Sequence, residues 1–112
     1  MSDEFFTEER CHILEILNDP DVQSMSLARA RIEPGVRTAN HTLECEELYY
    51  ILEGEGLMYL DGKPAGAVQA GDSVLIRNGV AQCIENTGTG DLKILCYCSP
   101  QFDPGGYHAL PE

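Results

Sequence analysis

The sequence contains few basic residues, and this shortage limits the partners that the protein can have. Seven Lys and Arg residues stand against 19 Asp and Glu residues, which gives a formal net charge of −12 at pH 7. Phosphate backbones and anionic lipid surfaces repel a chain of this charge. We therefore expect no nucleic-acid partner and no association with a membrane surface.

Long apolar runs are also missing. No stretch approaches the ~20 apolar residues of a membrane span, and the acidic start, MSDEFFTEER, lacks the basic and apolar regions of a signal peptide. The five cysteines are odd in number and form no CxxC pair. This pattern favours reduced thiols and a cytoplasmic location.

What the chain does contain predicts an all-β domain. Its 112 residues include 11 Gly and 6 Pro, and pairs such as Asp61-Gly62 and Asn78-Gly79 are strong turn signals. They separate about eight short strands, a pattern typical of a sandwich or barrel. We expect an N-terminal segment over 1–24, a barrel over 25–99 and a tail over 100–112.

Four stretches carry specific expectations. Residues 36–43 are predicted to be one strand, and residues 47–53 the next, which is apolar on both faces and so should be covered on both sides. The tail should wrap around the barrel rather than form a strand. In the strand over 92–98, alternation about Lys93 predicts four inward side chains: Leu92, Ile94, Cys96 and Cys98.

The stretch from Gly35 to Gly56 is the most informative part of the chain. His41 and Glu47 flank a predicted bend between two strands. A β-barrel can use such a bend to bring an imidazole and a carboxylate to one point in its interior. Tyr49 lies on the same face as Glu47 and is expected to line the same pocket.

The spacing of these residues resembles the two sequence motifs of the cupin family. The first motif falls on Gly35, His41, Leu43, Glu47 and Gly54. The second motif falls on Gly71, Arg77, Gly79, Gln82 and Asn86. The resemblance implies an all-β double-stranded β-helix, or jelly-roll cupin barrel, often paired as a homodimer through the N-terminal strand or a barrel face. The N-terminal segment is accordingly a possible swapped strand.

The resemblance also implies a site in the barrel interior. Metal-binding cupins supply three histidines and one glutamate. At the matching positions this chain keeps His41 and Glu47, while Leu43 and Gln82 replace the other two histidines. The candidate metal ligands are therefore His41, Glu47 and Gln82, and the candidate ions are Zn, Fe, Mn, Cu or Ni.

Two functions fit these residues at this point. The first is a metal-dependent enzyme of the oxygenase, isomerase or lyase type that acts on a small molecule. The second is a non-catalytic protein that binds or senses a small ligand in the same pocket without a metal. In either case Tyr49, Cys96 and Cys98 are the expected ligand-contacting side chains.

Overall fold

The computed structural model describes residues 4–112, so the first three residues of the predicted N-terminal segment lie outside the described part. Almost all regular structure is β, as the sequence predicts. The strands are β1 (Phe5–Phe6), β2 (His12–Leu17), β3 (Ser26–Ile32), β4 (His41–Leu43), β5 (Glu46–Glu53), β6 (Glu55–Leu60), β7 (Lys63–Gln69), β8 (Ser73–Ile76), β9 (Gln82–Asn86), β10 (Leu92–Ser99) and β11 (Tyr107–Ala109).

The strands form two sheets that face each other. The first sheet has the order β1-β2-β3-β10-β5-β8, and the second has the order β11-β4-β9-β6-β7. All strand pairs are antiparallel. Consecutive strands repeatedly fall in different sheets, so the chain crosses between layers as in a jelly roll.

Alternating side chains of both sheets meet in one apolar core. Four of these side chains are each at most 1% exposed: Ile51 on β5, Met58 on β6, Ile84 on β9 and Ile94 on β10. Leu92 and Ile94 are buried, Cys98 is 4% exposed and Cys96 packs against the core. The predicted inward face of β10 is thus confirmed.

Turn chemistry sets the connections, as the sequence predicts. Asp61 and Gly62 both have positive φ, 53° and 79°, the geometry of a tight hairpin between β6 and β7. Gly54 has a φ of 91° where β5 ends, and a Cβ there would lie 2.6 Å from the Asp91 carbonyl oxygen. Only glycine allows the backbone to pass this closely as it moves from one sheet to the other.

Two strand predictions were wrong in their extent. Within residues 36–43 only His41–Leu43 is a strand, because the preceding amides bond to different partners: Thr38 to Ile84 and Ala39 to Glu9. The tail, predicted to lack a strand, places Tyr107–Ala109 along the open edge of β4.

The prediction that β5 is covered on both sides was also wrong for this chain alone. Its inward residues are buried, but Leu48, Tyr50 and Leu52 are 38%, 44% and 41% exposed. They lie on the outer surface of the first sheet, which no other element of the described chain covers.

The N-terminal segment is part of the first sheet. Strand β2 pairs with β3 of the same chain from His12↔Arg31 to Leu17↔Leu27. Its exchange between two chains stays a prediction. Between residues 4 and 112 there is no helix with the length and hydropathy needed to cross a bilayer.

Candidate functional site

A cavity of about 170 Å³ lies between the two sheets. The walls are mainly apolar, with Ile13, Ala30, Ile32, Ile84 and Ile94 among them. The predicted site residues His41, Glu47, Tyr49, Cys96 and Cys98 line the same cavity. An apolar chamber with a few convergent polar groups is the usual form of a small-molecule site.

Glu47 and His41 reach the cavity from opposite sheets. Glu47 lies on β5, between Cys98 of β10 and Ile76 of β8. His41 lies on β4, beside Gln82 of β9. Both side chains are buried, at 6% and 4% exposure. Strand alternation turns each residue inward, so two residues close in sequence line one cavity.

The Glu47 carboxyl group has little to stabilise a negative charge. Its Oε2 accepts only a long contact from the Cys98 thiol, at 3.7 Å, and its Oε1 has no hydrogen-bond partner within the described chain. Burial raises the pKa of Glu47 to about 8, and the side chains of Gln82 and Cys98 oppose that rise only in part. Glu47 is therefore a neutral carboxylic acid at neutral pH, able to donate a proton.

His41 is held in a fixed orientation. Its Nδ1 donates to the Ala39 carbonyl oxygen at 2.9 Å, which leaves Nε2 as the acceptor of the neutral ring. The Tyr107 ring stacks on the imidazole, with centroids 4.8 Å apart and planes at 22°. The short tail strand β11 thereby completes this wall of the cavity.

Glu9 is a site residue that the sequence did not reveal. Its Oε1 lies 3.3 Å from His41 Nδ1, and its carbonyl accepts the Ala39 amide at 3.1 Å. Burial raises the pKa of Glu9, while His41 opposes the rise. Alternate residues from Thr7 to Leu17 line the cavity, so a period-two reading of that segment was the one signal that pointed to Glu9.

Gln82 lies beside His41 on the neighbouring strand and opposes the burial-driven rise in the pKa of Glu47, but its oxygen is bonded to another side chain. It is 1% exposed and does not line the cavity. Its Oε1 accepts the Tyr49 hydroxyl at 3.1 Å, so Gln82 supports Tyr49 from behind. Burial raises the pKa of Tyr49 well above its ordinary value, and the hydroxyl remains a donor.

The cavity thiols and the two other histidines show no feature of a reactive group. Burial raises the pKa of Cys11 to about 12 and that of Cys96 well above its usual value, so these two of the three cavity thiols stay protonated. His12 pairs with Glu33 on the outer surface, Nε2 to Oε2 at 2.9 Å. His108 contacts Glu44 in the tail, and its side chain is half exposed.

These donors suit a weakly held cation better than a tightly bound one. His41 Nε2 and the Glu47 carboxylate are an imidazole and an oxygen donor of the kind that divalent metals accept. The Gln82 oxygen is already engaged by Tyr49. Among residues 4–112 no three His, Cys, Asp or Glu side chains are grouped so that they could hold a metal ion. Water or a bound molecule would have to complete the coordination.

The chain is similar to known proteins both in sequence and in structure. A family model described as "Cupin domain" matches residues 28–98. An uncharacterized protein of Methanocaldococcus jannaschii is 38% identical over 102 residues, 88% of this chain and 80% of that protein. An oxalate-binding protein of Thermotoga maritima is 42% identical over 69 residues, 61% of this chain and 56% of that protein.

Solved structures show the same fold. A predicted oxalate decarboxylase of Thermotoga maritima superposes with a TM-score of 0.76 at 26% identity, covering 88% of this chain and 91% of that one. The Streptomyces nucleoside dehydratase Pac13 superposes with a TM-score of 0.79 at 17% identity, covering 97% and 84%. At such low identity the second likeness concerns the fold alone.

The raised pKa of Glu47 predicts a pH-dependent stability. The unfolded chain loses this proton near its ordinary value of 4.5, whereas the folded chain keeps it to about 8. Rising pH between these values therefore favours the unfolded state, by up to ~5 kcal/mol from this group. Half-buried Glu9, whose pKa is also raised, contributes in the same direction. We expect the urea midpoint of the metal-free protein to fall across this range.

The variant Glu47→Gln should flatten that fall, because it removes the titrating proton and keeps the shape of the side chain. Glu55→Gln is the matched control, since Glu55 is exposed. An equal pH slope in wild type and Glu47→Gln would show that Glu47 does not carry the raised pKa.

Proposed function

The chain belongs to the cupin domain family, and from this premise we propose that it binds a small molecule in the cavity between its two sheets. The convergence of buried polar groups on an apolar chamber carries the proposal. Glu47 enters from one sheet, and His41, oriented by Glu9, enters from the other. Burying a carboxyl group whose Oε1 lacks a partner is destabilising, so a binding role explains a feature that stability alone does not.

The same groups are suited to proton transfer. Glu47 is a carboxylic acid that keeps its proton at neutral pH, and His41 presents Nε2 as a base on the opposite wall. A positioned acid and base around a bound molecule are what general acid–base catalysis requires. An enzyme acting on a small molecule is thus compatible with the site, and a binding protein without catalysis is the alternative.

A bound divalent metal is a second candidate, and one observation favours it. The Glu47 Oε1 atom is buried without a partner, and a cation near it would satisfy that oxygen. His41 and Glu47 would be the ligands, with Gln82 joining only if it released Tyr49. Such an ion would act as a Lewis acid on an oxygen of the bound molecule. It would also supply the positive charge that an oxalate-like anion, suggested by the name of the Thermotoga relative, needs in this cavity.

The exposed face of β5 supports a homodimer. Leu48, Tyr50 and Leu52, with Leu75 of β8 and Tyr97 of β10, form an outer patch with exposures of 38–51%. In the register, Tyr97 and Leu75 lie on either side of Leu48. Two copies of a chain with charge −12 repel each other least when they meet over an uncharged surface, because no like charges are then brought into contact. The outer patch offers that surface, and a two-fold contact would bury it in both subunits.

The cytoplasmic location predicted from the cysteines remains part of this proposal. All five cysteines are free, and four of them are buried. Free thiols of this kind are stable in a reducing compartment.

Filling the cavity tests the binding proposal. Ala30 lines the cavity and is 6% exposed, so Ala30→Phe should place a ring in the chamber. In a thermal-shift screen of small metabolite-like compounds, ligands that raise the wild-type Tm should have no effect on Ala30→Phe. Ala67→Phe, at an exposed position of β7, should respond like wild type. Undiminished shifts in Ala30→Phe would place the ligand elsewhere.

Metal titration tests the second candidate. We expect Zn²⁺ or Mn²⁺ to bind chelator-treated protein weakly, and more tightly as rising pH deprotonates Glu47. His41→Ala and Glu47→Ala should each weaken binding at least tenfold, whereas His108→Ala, in the half-exposed tail, should not. Calorimetry would measure the affinities, and full retention of a metal by either site variant would refute the assignment.

Size-exclusion chromatography with light scattering tests the dimer. Tyr50→Glu puts a charge in the middle of the outer patch and should yield a monomer at concentrations where wild type is a dimer. Ala67→Glu adds the same charge to the exposed face of the other sheet and should leave the dimer intact. A wild-type monomer at high concentration, or a dimeric Tyr50→Glu, would contradict this interface.

A further inference from the structure

We propose that the cavity ligand is a small amine, with a protonated amino group facing Glu47 and a short apolar body against the aliphatic walls. This inference rests on the proposed function, because it names the chemical class that the same site would select.

The charge of the cavity lining favours a cationic ligand. Three acidic residues line it, Glu9, Glu15 and Glu47, and no Lys or Arg does so within residues 4–112. Glu9 has a partner in His41, at 3.3 Å. Glu47 has none for Oε1, although the residue is only 6% exposed. An ammonium group brings N–H donors to this unpartnered oxygen and a positive charge into a lining with three acidic side chains.

The entrance to the cavity has the same charge. An open groove runs between the 18–23 loop and the tail, and four residues line both groove and cavity: Glu15, Asn18, Leu43 and Phe102. Glu44 and Asp103 add two more acidic side chains to the groove, again without a Lys or Arg in its described lining. A passage of one charge sign concentrates ligands of the other sign and repels those of its own.

The tail fixes the position of this entrance. The Phe102 amide donates to Ser26 Oγ at 2.8 Å, and its carbonyl accepts from the Asn18 side chain at 3.2 Å. Phe102 packs beside Leu43, Cys45 and Cys98. Its ring thus stands where the groove meets the cavity, and an aromatic face there can contact a passing ammonium group favourably.

The size of the cavity limits the rest of the ligand. Its volume is about 170 Å³, close to the ~150 Å³ of an apolar cavity that admits benzene. The walls offer aliphatic side chains to a short hydrocarbon body. A free dicarboxylate would instead meet three acidic side chains and no Lys or Arg in the described lining, an arrangement that is unfavourable without a cation.

Three matched probes test the charge preference: butylamine, butanol and propionate, which have equal numbers of non-hydrogen atoms. Binding to chelator-treated full-length protein would be followed by chemical-shift changes in NMR titrations at constant pH and ionic strength. We expect butylamine to bind at least tenfold more tightly than butanol, and propionate to give no saturable change. Ala30→Phe should abolish butylamine binding, which separates the cavity from surface acids.

Glu47→Gln should lower the affinity for butylamine at least tenfold and leave that for butanol within about twofold. Glu55→Gln is the control and should match wild type. If Glu47→Gln does not fold, Glu9→Gln serves as the second variant, with a smaller loss expected, because that carboxyl group already faces His41.

Equal or tighter binding of butanol or propionate would overturn the amine inference, as would a full amine preference in Glu47→Gln or the failure of butylamine to bind. If butanol or propionate binds as tightly as butylamine and Ala30→Phe abolishes that binding, the cavity is still a binding site and the proposed function stands. The proposed function itself would be wrong if Ala30→Phe weakened the binding of no compound in the wider thermal-shift screen.

Discussion

The carboxyl group of Glu47 is buried between two sheets that give it almost no counter-charge, and the rest of the site is arranged around this constraint. The sheets close around it because Ile51, Ile84 and Ile94 fill the interior on either side. A carboxylate in such surroundings is unfavourable, so the group keeps its proton and its pKa rises to about 8. The fold thereby holds a reactive acid in an otherwise apolar chamber, and stability is lost to maintain it.

Two other polar side chains of the cavity, His41 and Tyr49, each have a polar partner. His41 is fixed by the Ala39 carbonyl and by Glu9, and Tyr49 is fixed by Gln82. Glu47 alone among them has a carboxyl oxygen without a partner in the described chain. This contrast between anchored groups and one unsatisfied group supports the proposal that a ligand interacts with Glu47 and enters past Phe102.

Local sequence signals were sufficient for the fold and for half of the site. Turn pairs and alternation located the strands, and the motif spacing placed His41 and Glu47 across one cavity. Glu9 was missed because its role depends on a contact with His41, which lies 32 positions further along the chain. The motif position of Gln82 predicted its strand, but the bond of its Oε1 to Tyr49 depends on packing between the two sheets. The exposed face of β5 was also mispredicted. Its apolar residues indicate that the face is buried, but the sequence does not show which chain or element covers it.

Titration of Glu47 itself would show whether this residue is a neutral acid that faces the cavity. A carbon-13 NMR titration of the side-chain carboxyl resonances, with Glu47→Gln to assign the signal, would follow this group in the metal-free protein. We expect the chemical shift of the Glu47 carboxyl carbon to show an inflection near pH 8, far above the ordinary pKa of 4.5. A Glu47 carboxyl that titrates near 4.5 would mean that water or a counter-charge reaches it, and the account of the cavity would be wrong.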